Sequence, residues 1–311
     1  MMNFIKNWTL PLAMLAGAAA YFIYTAIPAL DCTHAWVGRL IAIVQPTLLF
    51  TMLFLTFCKV RPSDLRFHRW QWWLLLFQVG LFSLLALVLI LTPHTHWRVV
   101  VEGTMLCFIC PTATAAAVVT RKLGGNAGTL MMYTILINLA VALLAPALLP
   151  LVHPSEGHTF FRSFLIIISR VFPLLLGPLV LSVVMRSLWP KSTEWLSSKR
   201  DLPFHLWAVS LSLAIGVSVK SIVHTTLPWT YQLAIAAASL LACILQFALG
   251  RRVGRHYADP ISAAQACGQK NTVFIIWLGY TFLTPVTSIA GGFYSIWHNM
   301  WNSYQLYKAK R

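Results

Sequence analysis

Lys270 stands inside an apolar run that extends over about 261–283, in the local sequence Cys267-Gly268-Gln269-Lys270-Asn271-Thr272. In hydrocarbon an ammonium at the centre of a span costs about 2.5–3.5 kcal/mol. A helix-breaking glycine beside it frees backbone groups that lipid cannot satisfy. Such a break persists only where protein or a water-filled cavity surrounds it. A second apolar run is interrupted earlier, at Cys110-Pro111-Thr112-Ala113-Thr114. Any fold for this chain has to bury both interruptions.

The setting is a membrane. Of 311 residues, 59% are hydrophobic and 10% charged, against about 25% charged in a soluble domain. Ten apolar segments are long enough to cross a bilayer, near 8–30, 35–58, 70–92, 98–120, 127–151, 159–189, 203–226, 228–250, 258–283 and 285–307. No connection is long enough for a soluble domain. The first run, 9–30, exceeds a signal-peptide core and lacks a cleavage pattern, so it reads as a retained helix. Gln45-Pro46 marks a kink in the second span. Trp70, Trp72 and Trp73 open the third as an interfacial anchor, with Gln78 deeper in.

A net charge of +16 would suit a nucleic-acid partner, but its distribution assigns it to topology. The even-numbered connections hold Lys59, Arg61, Arg66, Arg69, Arg121, Lys122, Arg186, Lys191, Lys199, Arg200, Arg251, Arg252 and Arg255; the termini add Lys6, Lys308, Lys310 and Arg311. The odd connections and adjoining helix ends hold only Arg39, Arg98, Arg162 and Lys220. A 17-to-4 split of the basic residues places both termini in the cytoplasm. The expected location is the cell (inner) membrane, crossed many times, with lipid and no nucleic acid as partner.

Ten spans divide into five and five. The external connection 152–158, with Pro154, Ser155, Glu156 and Gly157, separates unit 1–151 from unit 159–311. Five is odd, so the second unit must lie inverted. Each break falls in the fourth span of its unit, and such discontinuous pairs mark a transporter's central site. The expected fold is an all-α polytopic membrane protein: ten transmembrane helices as two inverted five-helix repeats, with discontinuous fourth and ninth helices crossing near mid-membrane.

Few residues carry chemistry. Lys270 reads in three ways: a lysine that ties the breaks together through carbonyls, a fixed cation for an anionic substrate, or a lysine that exchanges its proton. Arg170 in the sixth span is a second deep cation, either structural or a clamp for carboxylate or phosphate. None of the seven acids (Asp31, Asp64, Glu102, Glu156, Glu194, Asp201, Asp259) falls at mid-span. Glu102, four residues after Arg98, reads as half of an interfacial ion pair. Deep cations without a deep acid favour an anionic substrate. Thr112 and Thr114 at one break, and Gln265, Gln269, Asn271 and Thr272 at the other, supply polar groups. Tyr294, His298 and Asn302 share one face of the tenth span, with Asn299 beside them, as substrate contacts or interhelical glue. Asn138 lies inside the fifth.

The cysteines give no disulfide framework, since Cys32 and Cys58 fall at opposite ends of one span. Cys107-x-x-Cys110 has redox spacing but reads as packing beside a proline. His94-x-His96 lacks further ligands nearby. No pattern for a metal, a cofactor or an enzyme nucleophile is found.

At these breaks the chain resembles the bile acid:sodium symporter family. The stretches that carry the likeness are Cys110 to Thr120, where the family has a Cys-Pro-Gly-Gly-like start and then Ser-Asn; Gly268-Gln269-Lys270-Asn271, where it has Gly-x-Gln-Asn preceded by an acid; and Tyr294 to Asn302. The resemblance implies a core (spans 3–5 and 8–10) moving against a panel (spans 1, 2, 6 and 7), and transport of organic anions, often with sodium. Gln78 matches a sodium ligand, Asn271 the asparagine of the ninth-span break, and His298-Asn299 the substrate-facing pair. The family's Ser-Asn is here Ala116-Ala117, its acid Ala266, and its glutamine Lys270. Each change removes a sodium-binding oxygen, and the last adds a charge. The resemblance thus implies a secondary transporter of small organic anions without sodium coupling, Lys270 taking the ion's place. The alternatives are a sodium-dependent symporter with a rearranged site, or a cation/proton antiporter of related fold.

Overall fold

Hydrocarbon leaves a chain two ways to satisfy its backbone, and the absence of alternating polar strands leaves only the helix. The computed structural model describes residues 2–60, 63, 65–154, 157–199 and 202–309, and for 2–11 and 204 the backbone alone. Arg61, Arg200, Lys310, Arg311 and the side chain of Lys6, all part of the topology count, lie outside the described residues, as do Asp64, Asp201, Ser155 and Glu156.

The described residues are all-helical apart from one isolated antiparallel bridge, Thr112 with Lys270. In chain order they form α1 (Met2–Thr25), a short 3-10 helix (Pro28–Thr33), α2 (His34–Cys58), α3 (Arg69–Leu91), α4 (Arg98–Ile109), α5 (Ala116–Lys122), α6 (Ala127–Val152), α7 (Phe160–Leu188), α8 (Pro190–Ser198), α9 (Leu202–Val223), α10 (Trp229–His256), α11 (Pro260–Gly268), α12 (Thr272–Phe282) and α13 (Ile289–Ala309).

Six stretches are long and apolar enough to span: Pro28–Cys58, Arg69–Leu91, Ala127–Val152, Phe160–Leu188, His205–Val223 and Trp229–His256. The regions 98–122 and 260–282 each hold two shorter helices. These four, α4, α5, α11 and α12, have 12, 7, 9 and 11 residues, short of the about 20 that cross a bilayer.

Helix ends follow local chemistry. Asn126 caps α6, its Oδ1 accepting from Gly128 N at 2.9 Å and Thr129 N at 3.3 Å. Gly124, at φ +83°, turns the chain out of α5. The connection after α7 contains a further helix, α8. Pro190 starts that helix and Thr193 is its buried side. At nine residues with only a few apolar side chains it gave no periodic signal of its own.

Packing pairs α1 with α9, and α2 with both α7 and α9. Gly17 permits the first approach, since a Cβ there would lie 2.2 Å from Ser212 O. α4 packs on α3, α10 and α13, and α10 lies along α11. The two groups meet where Ala214 of α9 packs with Val273 and Ile276 of α12, and where Ser221 Oγ lies 3.4 Å from Ser288 Oγ. The outer surface displays Leu15, Ile43, Leu76, Leu91, Val180 and Leu241, which water would penalise and lipid accepts.

Candidate functional site

The last carbonyls of a helix have no intrahelical partner, so a helix that stops inside the protein needs outside donors. Two helices stop here. α4 ends before Pro111, which has no N–H to offer Cys107 O; Gln246 Nε2 takes that carbonyl at 3.2 Å. Lys270 Nζ donates to Cys110 O at 2.9 Å and Phe108 O at 3.4 Å. α11 ends at Gly268. Its carbonyls accept from Thr112 Oγ1 (Ala266 O, 2.7 Å), Gln78 Nε2 (Cys267 O, 3.4 Å) and Tyr294 Oη (Gly268 O, 2.8 Å). Each stopped helix is therefore closed in part by a side chain from the other break.

The backbones join as well. Ala113 N donates to Gln269 O at 2.8 Å and Asn271 N to Pro111 O at 2.9 Å, with Thr112 and Lys270 paired between them. That pairing is the non-hydrogen-bonded kind, in which side chains stand closest. Gly268 is required by close approach, because a Cβ there would lie 2.4–2.6 Å from the Phe247 ring. Lys270 is 1% exposed.

A buried hydrogen-bond chain supports this crossing. Tyr133 Oη donates to Gln78 Oε1, Gln78 Nε2 to Gln246 Oε1 at 2.8 Å, and Gln246 Nε2 to Tyr294 Oη at 3.1 Å. It runs from α6 through α3 and α10 to α13. Gln246 and Tyr133 were missed in the sequence. The available signal for Gln246 was the one that selected Gln78, an amide within an apolar span.

Beside the crossing, buried polar side chains present atoms without a protein partner. They are Gln265 Oε1, Gln269 Oε1, Asn299 Oδ1, Asn271 Nδ2, Asn302 Nδ2 and His298 Nδ1. Gln265 Nε2 donates to Asn302 Oδ1 at 3.0 Å and Gln305 Oε1 at 2.7 Å, which ties α11 to α13. Asn271 caps α12, its Oδ1 accepting from Phe274 N at 3.4 Å. Buried polar atoms are nearly always paired, so this cluster is equipped for a polar solute or water.

The remaining expected residues sort by position. Thr112, Ala116, Ala117 and Ala266 are buried at the crossing, and Thr114 is partly buried beside them. Arg170 is exposed on α7 and has no hydrogen bond or ion pair among the described residues. Its long side chain leaves the helix surface, which an apolar run alone could not reveal. Glu102 forms the expected pair with Arg98, and its side chain is buried, 1% exposed. Arg98 Nε lies 3.0 Å and His153 Nδ1 3.7 Å from its Oε1, and Thr287 Oγ1 donates to Oε2 at 3.0 Å. The Arg98 contact is an ion pair by distance, not an aligned hydrogen bond, since Oε1 has no hydrogen-bond partner. The buried Asp259 is held elsewhere, accepting from Thr129 Oγ1 at 2.7 Å and Trp70 Nε1 at 3.2 Å. All six cysteines are free thiols.

No curated protein matches the chain in sequence. A family model matches residues 14–291, a stretch that includes both breaks and stops short of His298, Asn299 and Asn302. With that match over most of its length, this integral membrane chain belongs to the SBF-like CPA transporter family.

Proposed function

We propose that the protein is a secondary transporter of small organic anions that works by alternating access without sodium coupling. In this reading the Lys270 ammonium stands where a sodium ion sits in sodium-coupled relatives. One observation carries it: the buried Lys270 Nζ closes the end of α4 through Cys110 O and Phe108 O. A bound cation would make the same contacts with the negative end of a helix. A fixed charge there repels sodium and leaves the crossing positive, because Glu102 is engaged by Arg98 and Asp259 by Trp70 and Thr129. Coupling is then to protons, to exchange, or to nothing.

The wider architecture belongs to the same proposal. α4–α5 and α11–α12 form the discontinuous fourth and ninth of ten spans, arranged as inverted repeats 1–151 and 159–311. The core is α3–α6 and α10–α13, the panel α1, α2, α7 and α9, and the termini are cytoplasmic in the cell (inner) membrane. The packing of α1 and α2 on α9, and of α10 on α11, supports that division, while α6 packs on α7 across it. Thr112, Thr114, Asn271, His298 and Asn299 are the proposed substrate contacts. Gln78, Ala116, Ala117, Gln265, Ala266, Gln269 and Lys270 are the positions of the replaced ion site. Arg170, being exposed, keeps a part only if the panel carries it toward substrate.

A sodium-dependent reading has an observation of its own: Gln265 Oε1, Gln269 Oε1 and Asn299 Oδ1 are oxygens without partners. Thermal unfolding of the purified protein in sodium and in choline at equal ionic strength separates the two. A ligand at 100 Kd adds about 2.7 kcal/mol to a folded state that alone binds it. The expected result is no sodium effect, a rise with one class of organic anion, and counterflow of that anion in proteoliposomes. In Lys270→Gln, a sodium-specific rise should appear while transport falls. A sodium rise in the unaltered protein, or unchanged transport and pH dependence in Lys270→Gln, removes the lysine from this role.

A further inference from the structure

We propose that the groove between the end of α7 and α8 binds an anionic phospholipid, with its phosphate at Lys191 and its acyl chain along Trp195, Leu196 and Met185. The inference rests on the membrane setting and not on the transport reading.

The groove, about 430 Å³, is lined by Met185, Lys191, Ser192, Trp195 and Leu196. Its lining is mixed in chemistry, three apolar side chains together with a cation and a hydroxyl. α8 packs on α2 and α7 with Thr193 buried, which leaves Lys191, Ser192 and Trp195 outward. Trp189, Trp195 and Leu188 are each about 60% exposed, in the manner of an interfacial helix.

The charge around the groove is positive. Lys191 makes no hydrogen bond or ion pair among the described residues. Lys199 Nζ lies 4.9 Å over the Trp195 ring. Arg186 donates to Cys58 O at 2.9 Å, so it adds potential from a fixed position. Lys59, which donates to Lys199 O at 3.2 Å, adds to it. The acid of α8, Glu194, does not line the groove; it stands three residues after Lys191, a neighbour on the helix, but makes no ion pair among the described residues. A choline headgroup would bring a second cation beside Lys191. A soluble anion would leave the apolar half of the lining wet. An anionic phospholipid satisfies both halves.

The test uses the full chain in vesicles carrying brominated acyl chains, which quench nearby tryptophan. The difference between the unaltered protein and Trp195→Phe isolates Trp195. Brominated phosphatidylglycerol should compete for that position about fivefold better than brominated phosphatidylcholine, one lysine's contribution at a membrane surface. The preference should fall in high salt, fall in Lys191→Gln and survive in Lys191→Arg. Equal quenching by both lipids, a preference indifferent to salt, or one retained in Lys191→Gln overturns the proposal. So does displacement of the lipid by inorganic phosphate. The salt series on the unaltered protein decides the matter even if a variant fails to fold.

Discussion

The two breaks perform the same structural task with different chemistry. At α11 the freed carbonyls are met by neutral donors, each from a different element: Thr112, Gln78 of α3 and Tyr294 of α13. At α4 the single side chain of Lys270 meets two of them, and Gln246 meets a third. Neutral donors are individually modest, whereas bonds from a charged donor are roughly twice as strong. The α11 end is thus held by distributed contacts and the α4 end by a concentrated one. A concentrated contact can be lost in a single event, by deprotonation or displacement of one group.

The largest expected effect tests that concentration. Lys270→Met fills similar space but leaves the carbonyls of Phe108 and Cys110 buried without their donor. Loss of a charge-assisted contact of this kind should cost about 3 kcal/mol, read as a lowered unfolding midpoint in detergent. If the loss is under 1 kcal/mol, the comparison breaks, because the charge is then not what holds α4. The next largest belongs to the α11 end and is purely steric. Gly268→Ala places a Cβ 2.4–2.6 Å from the buried Phe247 ring, and overpacking should cost about 2 kcal/mol. Phe247→Leu in the same chain should return part of that. If the second change adds to the first, the approach of α10 to α11 does not set the requirement for glycine.

Both breaks were legible because lipid is an unforgiving solvent: an internal lysine, a Gly-Gln-Lys-Asn run and a Cys-Pro step each violate an otherwise apolar pattern. That pattern located Lys270, Thr112 and Gln78, and the structure brings all three to the same crossing. It did not show which carbonyl each would meet, since that depends on pairing across α4 and α11. Direction was the weaker inference. Position along a span says nothing about direction around it, so the sequence placed Arg170 within a span without showing that its side chain is exposed on α7. The spacing paired Glu102 with Arg98, but not with Thr287 of a distant segment. α8 escaped for a third reason. A nine-residue helix beside the membrane carries too little apolar periodicity to separate from a loop.

The smallest effect sharpens the comparison most. Thr112→Val keeps the shape of the side chain and removes the hydroxyl that donates to Ala266 O at 2.7 Å. One neutral hydrogen bond lost at a buried carbonyl should cost about 1 kcal/mol, a third of the lysine's effect. Thr112 and Lys270 are bridge partners, so the two losses share a backbone pairing. Sites that share a structural element depart from additivity by about 0.5–3 kcal/mol. The double variant, measured by the same unfolding experiment, should therefore cost less than the two single losses together, because the first already loosens the pairing that aligns the second. Strict additivity would mean that the two closures are independent, and that Lys270 could leave α4 without any consequence for α11. A sub-additive result would make the crossing one unit, in which a change at the lysine is felt at both stopped helices.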